Sequence, residues 1–560
     1  MEADYVGSLR CCNLQVTQGL VQVLLPVFAA RILKEGYLHE ALTTNSPLLA
    51  FAQVSDQVAQ ELCHQEEPRR LAGPSASRAD IFIRRGGRNK VARYPLASLV
   101  IKNGTVATSS DVYRADVKAE DGIITKIALS IDDPADKVID AQGKIVVPGG
   151  IDGHTHFEMP FMGTTTADDF KSGTASAAAG GVTSVIDFVV PQKGESLKAA
   201  LQKWHDKAAD KVFVDYGFHM IFREMTEGTL AEIKEVIAAG VTSFKVFTTY
   251  RKEGLMLDDG GIATVMREVS SRGGLVAVHA ENNGMIERNV EAFLNEGKTG
   301  PEYHLLSKPQ IVEAEAVQRM VTLAKHTGAS SYIVHLSTKM GRETVREAQR
   351  AGLPFFAETC PHYLVFNDSV YRRSDAANFV MSPPIKSEED RIALWQGLIE
   401  GDIKTVGSDH ADFTSEQKAM GKDDFTKIPN GVPGTEVIMP ILFTEGVAKR
   451  RFSINRFVQV TSTNAAKAYN LFPKKGTIAV GSDADLVVID PTFRARLTAD
   501  FLHANIDYSI YENFVTEGYP VVTISRGEVI AQDNQLLASP GRGRFLPRKP
   551  YPDNRCPLFA

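Results

Sequence analysis

The sequence has little cysteine: five residues in 560, at Cys11, Cys12, Cys63, Cys360 and Cys556. They are too few and too scattered for a disulfide framework, and no CxxC pair offers a thiolate zinc site. A reducing, cytoplasmic compartment is the expectation. An excess of charge is also missing. With 62 basic and 68 acidic side chains the formal net charge is -6, so nothing electrostatic points to a nucleic-acid or other polyanionic partner. Long apolar runs are absent as well. The nearest to one is residues 20–33, too short to span a bilayer and interrupted by Pro26 and Arg31. Glu2 and Asp4 precede it where a secretory signal carries positive charge, so an accessory helix or arm fits better than a targeting segment. No membrane partner is expected. No 20–50-residue repeat is visible. With 43% apolar and 23% charged residues, what is there is ordinary globular protein.

The chain divides by texture. Residues 1–98 form an N-terminal extension of unassigned role, partly linker: residues 67–94 hold eight basic and two acidic side chains among Pro, Gly and Ser. Residues 99–149 open with "LVIKNGTVAT", which reads as a strand, an Asn-Gly turn and a second strand. From residue 150 to residue 473, apolar β-type runs alternate with amphipathic stretches such as "LAEIKEVIAAG" and "ETVREAQRAG". The runs are "TSVIDFVV", "FVDYGFHM", "TSFKVFTTY", "LVAVHAEN", "SYIVHLST", "PFFAETCP" and "KTVGSDH". Continuous apolar strands joined by helices imply a parallel sheet covered on both faces. Together with residues 150–156 they make eight strands, which predicts an α/β fold: a closed (β/α)8 TIM-like barrel. Residues 474–540 return to short strands, and the two β-rich flanks, 99–149 and 474–540, are expected to pair into a small β-sandwich. Residues 541–560 are a Gly-, Pro- and Arg-rich tail, expected to be extended.

Chemistry shows where polar residues interrupt apolar strands. His154 and His156 lie two apart, so an extended backbone puts both imidazoles on one side. His279 ends "LVAVH", His335 ends "SYIVH" and Asp409 ends "TVGSD". All sit near the C-terminal ends of candidate strands, the face on which barrel enzymes build their sites. Four histidines and an aspartate made to converge by a barrel predict a metal site. Lys245, inside "SFKVF", is an ammonium on a strand interior that does not tolerate one unpaired. It either pairs or snorkels, or as a neutral amine takes up carbon dioxide and becomes a carbamate able to bridge two cations. His219, His362 and His410 are also near strand ends, as lone histidines without a catalytic assignment, and Cys360 is read as a packed residue.

The segments "GGIDGHTHFEMPFMGTTTADDF", "SFKVFTTY", "VHAEN", "IVHLST", "MSPPIK", "GSDHADF" and "GKDDFTKIPNGVPGTE" resemble the cyclic amidohydrolase superfamily. Within it they resemble the dihydropyrimidinase and D-hydantoinase family, from about residue 99 to about residue 547. The resemblance implies two zinc ions per subunit, one held by His154, His156 and Asp409 and the other by His279 and His335. N6-carboxylated Lys245 and a hydroxide would bridge them. It implies that Asp409 moves the proton, that Tyr250 stabilises the oxyanion, and that Ser382 and Asn430 grip the amide edge of the substrate ring, largely through backbone groups. The reaction implied is hydrolysis of 5,6-dihydropyrimidines to N-carbamoyl-β-amino acids, with hydantoins as further substrates. An allantoinase-type activity and a non-catalytic scaffold are the alternatives, and the complete ligand set argues against the scaffold. Glu158 stands where dihydroorotases carry an arginine for the substrate carboxylate, which favours a neutral cyclic amide. Phe157, Met159, Phe161 and Met162 are candidates for a pocket around the ring substituent. Family tails cross a neighbouring subunit, which implies a homo-oligomer, a tetramer or dimer.

Overall fold

The computed structural model describes residues 97–559. The apolar segment 20–33 and the basic stretch 67–94 lie outside the described residues. The first strands are β1 (Leu99–Ala107), β2 (Val112–Glu120), β3 (Ile123–Ala128), β4 (Lys137–Asp140) and β5 (Ile145–Pro148). The predicted Asn-Gly turn is not a turn. β1 runs through Asn103 and Gly104, and its register against β2 slips between Ile101 and Gly104. Asn103 adopts φ 63° and gives its N–H to Asp116 Oδ1 at 2.8 Å. The Asn-Gly pair therefore makes a bulge, and a Cβ at Gly104 would lie 2.7 Å from Val146 Cγ2.

The barrel follows. β6 (Gly150–Thr155) leads, through a short hairpin of β7 (Pro160–Phe161) and β8 (Thr164–Thr165), to β9 (Val182–Val189), β10 (Asp215–Ile221) and β11 (Ser243–Phe247). β12 (Leu275–His279), β13 (Ser331–Ile333), β14 (Phe355–Thr359) and β15 (Thr405–Val406) complete it. The eight strands β6 and β9–β15 pair in chain order, all parallel. Closure comes from a parallel bridge between Thr155 and His410, with His156 N–H on His410 O at 2.8 Å. Every residue of β9 is buried, the burial on both faces that requires a continuous apolar run. The amphipathic stretches are helices, Glu227–Ala238 and Lys339–Arg350. Thr338 caps the second, accepting from Gly341 N–H, and Val345 and Ala348 face inward.

β13 and β15 are shorter than "SYIVHLST" and "KTVGSDH" suggest. The ladders end at Ile333 and Val406, and beyond them His335 and Asp409 take left-handed backbone, φ 41° and 49°, outside the range of a regular strand.

Both flanks enter one nine-stranded sheet. β16 (Leu486–Asp490), β17 (Tyr519–Ser525), β18 (Glu528–Gln532) and β19 (Gln535–Leu536) join β1–β5 through antiparallel pairing of β16 with β5. The sheet closes over a core of Leu99, Ile101, Val117, Ile124, Val146, Leu486, Val488 and Ile524. Ile124 N–H bonds Ser482 O at 2.9 Å, so the far edge curls back towards the start of β16. A buried charge cluster ties sheet to barrel: Lys475 Nζ lies 2.7 Å from Asp215 and 2.6 Å from Asp485, and Arg526 Nε reaches Asp215 at 3.1 Å.

The tail packs on the barrel of its own chain. Leu546 N–H bonds Tyr216 O at 2.7 Å, Tyr551 N–H bonds Gly273 O at 2.8 Å, and Arg548 Nη1 bonds Ser243 Oγ at 2.8 Å. These partners begin β10, precede β12 and begin β11, so the tail crosses the N-terminal face of the barrel. Among the described residues no helix is long and apolar enough to cross a membrane.

Candidate active site

At the other, C-terminal face the strands deliver the predicted polar residues to one place. His154 and Lys245 lie within β6 and β11, His279 closes β12, and His156, His335 and Asp409 follow β6, β13 and β15. Asp409 Oδ1 is 3.0 Å from His154 Nε2 and 3.3 Å from His156 Nε2. Lys245 Nζ is 3.0 Å from His154 Nε2. The rings of His279 and His335 are 4.4 Å apart, and that of His335 is 5.5 Å from that of His154.

Two carboxylates absent from the sequence-predicted set arrange the imidazoles. Glu358 Oε1 takes the Nδ1 proton of His154 at 2.7 Å, leaving the Nε2 lone pair aimed between Lys245 and Asp409. Glu281 Oε2 takes the Nε2 proton of His279 at 2.8 Å, leaving Nδ1 as its lone-pair nitrogen. Both could have been found in the sequence by the same argument as the histidines. Glu281 stands two residues after His279, and Glu358 interrupts the apolar strand "FFAET". Close packing around Glu358 also explains a glycine: a Cβ at Gly407 would lie 2.6 Å from Glu358 Oε2 and 3.0 Å from His154 Cβ.

Burial shapes the charges. It pulls His156 down to about 3 and Lys245 down to about 8. Burial opposes ionisation of Asp409, but the facing histidines hold its carboxyl well below the usual range. Three site residues carry positive φ, namely Tyr250 (65°), His335 (41°) and Asp409 (49°), a conformation that non-glycine residues hold only where surrounding structure imposes it.

A cavity of about 310 Å³ opens onto His156, Lys245, His279, His335, Asp409, Tyr250, Ser382 and Asn430. His154 backs it through its contacts with Lys245 and Asp409. All nine predicted site residues are thus gathered. Asn430 Nδ2 donates to the Tyr250 hydroxyl at 3.3 Å, and burial pushes that phenol above its ordinary pKa, keeping it a proton donor. Met159, Phe161 and Met162 line the cavity, joined by Val190, Ile221 and Leu255.

Two neighbours of the His-Thr-His stretch are placed otherwise than the sequence reading had them. Phe157 packs on Phe170 and on His410 in the core. Glu158 is not among the cavity residues; its carboxylate pairs with Lys211 at 3.2 Å. It takes φ 49°, which sends the side chain outward, so electrostatic repulsion by Glu158 is not what selects a neutral ring. Of the remaining histidines, His219 bonds Ser243 Oγ and Gly153 O. His410 lies between Asp168 and Asp412, at 3.0 and 3.4 Å from Nε2. Its Nδ1 accepts the N–H groups of Gly434 and Thr435 at 3.2 and 3.4 Å. The proton therefore sits on Nε2, which faces the two carboxylates at ion-pair distance. Cys360 is fully buried, as expected of a packed residue.

The model of the amidohydrolase family matches residues 145–530. This chain belongs to the amidohydrolase family. It is 44% identical over 456 residues to the D-hydantoinase of Geobacillus stearothermophilus, covering 81% of this chain and 97% of that protein. It is 40% identical over 467 residues to the dihydropyrimidinase of Rattus norvegicus, covering 82% and 90%. The crystal structure of dihydropyrimidinase from Brevibacillus agri NCHU1002 superposes with a TM-score of 0.80 at 41% identity, covering 81% and 99%. For an amidohydrolase, a metal-dependent enzyme, the donor set fits. The ligand atoms of His154, His156 and Asp409 lie within 4.8 Å of one another. Both ring nitrogens of His335 are buried without a hydrogen-bond partner, and ligation through one of them relieves part of that cost.

Proposed function

We propose that this enzyme hydrolyses the ring amide of 5,6-dihydrouracil and dihydrothymine to N-carbamoyl-β-amino acids, and opens hydantoins by the same chemistry. The observation that carries the reading is the single cavity on which the ligand-type side chains, Tyr250, Ser382 and Asn430 converge. Relatives named for both reactions, at 40–44% identity, support it.

His154, His156 and Asp409 would hold one zinc ion and His279 and His335 a second, with Lys245 as a carbamate between them. Imidazole and carboxylate donors suit zinc. Lys245 supports the carbamate: its side chain is buried, and the loss of hydration makes its amine shed its proton more readily than an ordinary lysine. When bound, the ions acidify water and polarise the carbonyl.

The side chains do the rest. Ser382 and Asn430 hold the amide edge of the ring, and apolar Phe161 and Leu255 take its substituent. The Tyr250 hydroxyl donates to the carbonyl oxygen as negative charge gathers there. Asp409 accepts a proton from the attacking water and returns it to the departing nitrogen. One C–O bond forms, the ring C–N bond breaks, and the nitrogen keeps the proton. The proposal includes a cytoplasmic homo-oligomer, dimer or tetramer. The buried free thiols of Cys360 and Cys556 support the compartment. Exposed Ile392 and Ile399, seven apart on one helix, support a face for a second copy.

The test is ring opening of dihydrouracil by zinc-loaded protein prepared with bicarbonate, beside Lys245→Ala. Turnover by the parent and its collapse in the variant are expected. A folded, metal-loaded parent that leaves both dihydrouracil and hydantoin intact would refute the reading.

A further inference from the structure

One buried cation touches both halves of the site without lining its cavity. Lys308 is 6% exposed. Its Nζ lies 3.1 Å from Glu281 Oε2, the same oxygen that takes the Nε2 proton of His279 at 2.8 Å. The same Nζ hydrogen-bonds the hydroxyl of Ser382 and stands 5.7 Å from the centre of the Tyr250 ring.

The backbone around Lys308 reinforces this arrangement. His304 Nε2 bonds Met381 O at 2.8 Å, and Lys386 Nζ bonds the carbonyl of Lys308. Residues 304–308 thus clasp residues 381–386 at three points, one on each side of Ser382 and one on Ser382 itself. An ammonium has three donors and no acceptor. Two of these donors go to groups that the site requires in fixed positions, a carboxylate behind a metal-ligand candidate and a hydroxyl on the substrate side.

We infer that Lys308 is a positioning residue that couples His279, through Glu281, to the ring-gripping Ser382. The inference rests on the ring-opening reading above and adds to it a physical link between metal side and substrate side. Glu281 sets which nitrogen of His279 is free and how the ring is turned. Lys308 fixes Glu281 by charge and Ser382 by hydrogen bond at once. Loosening Lys308 therefore disturbs two functions that a purely structural residue would leave alone: metal occupancy at His279 and binding of the ring.

The experiment compares the parent with Lys308→Met, Lys308→Arg, Glu281→Gln and the charge-neutral double variant Lys308→Met/Glu281→Gln. Each protein is loaded with zinc and bicarbonate, and its folding is checked by circular dichroism. Bound zinc per chain is measured by mass spectrometry, and kcat and KM are measured on dihydrouracil. The double variant matters because removing the cation alone strands a buried carboxylate. In the folded double variant, zinc affinity is expected to fall by about 10–100-fold and KM to rise, with kcat less affected at saturating zinc. Glu281→Gln alone should weaken zinc and leave KM near the parental value, because Lys308 still holds Ser382. Lys308→Arg should restore part of both properties. An active parent whose folded double variant keeps parental zinc content and KM overturns this inference alone. A folded, zinc-loaded parent inactive on dihydrouracil and hydantoin overturns the underlying reading and this inference with it.

Discussion

Glu358 Oε1 accepts the Nδ1 proton of His154 at 2.7 Å across 204 residues of sequence. The other oxygen of Glu358 takes the Tyr332 hydroxyl at 3.2 Å, so the carboxylate cannot swing away from the imidazole. Glu358→Gln should weaken zinc binding by about 10–100-fold while leaving the fold intact. Competition against a chelator measures this, and parental affinity in the variant would mean that the hydrogen bond does not tune the site.

Tyr250 separates catalysis from metal binding. Tyr250→Phe removes the hydroxyl that faces the cavity and keeps the ring, so zinc content should stay parental. The expected loss is about 100–1000-fold in kcat. An unchanged kcat would demote Tyr250 to a wall residue.

The Lys475 cluster joins barrel to flanking sheet. Lys475 is 1% exposed and pairs with Asp215, Asp483 and Asp485. Lys475→Met leaves buried Asp485 without its cation and Asp215 with Arg526 alone, at a cost of about 3–5 kcal/mol. Chemical denaturation reads the difference, and a variant as stable as the parent would contradict the assignment.

His503 carries a pH dependence of stability. Its Nδ1 meets Glu436 Oε1 at 2.8 Å, and this hydrogen bond raises its pKa. A histidine raised on folding contributes stability that is complete below its unfolded value of about 6.5. The contribution is lost as pH rises through the folded value. The stability gap between the parent and His503→Gln should be widest in mild acid and narrow as pH climbs past neutrality. Denaturation at a series of pH values tests the sign, and a gap that widens with pH would refute it.

The barrel was legible because burial on both faces leaves little choice of residue: β9 and β12 show as apolar runs, and the few polar residues at their ends stand out. His154, His156, Lys245, His279, His335 and Asp409 were legible for the same reason, whereas Tyr250, Ser382 and Asn430 were legible only through the resemblance. Glu281 and Glu358 were legible in principle, as carboxylates at the ends of apolar strands. Lys308 was not. It follows a short helix, and its meaning lies in contacts with Glu281 and with Ser382, 27 and 74 residues away. Nor could residue types alone tell that Asn103 and Gly104 bulge within one strand. An Asn-Gly pair favours positive φ in either setting, and only pairing with β2 decides between them.

Glu158 shows the boundary most plainly. Periodicity determined that eight strands alternate with helices and that His154, His156, Lys245, His279, His335 and Asp409 collect at one end. Strand direction and the two-residue repeat leave those side chains few other places. Past the end of β6 the alternation stops, and a single positive φ turns Glu158 away from the cavity and onto Lys211. The tertiary structure alone decided that orientation, along with the nitrogen each imidazole leaves free and the lysine joining His279 to Ser382. These depend on hydrogen bonds between distant segments, where a few tenths of an ångström choose the partner and local sequence exerts no force.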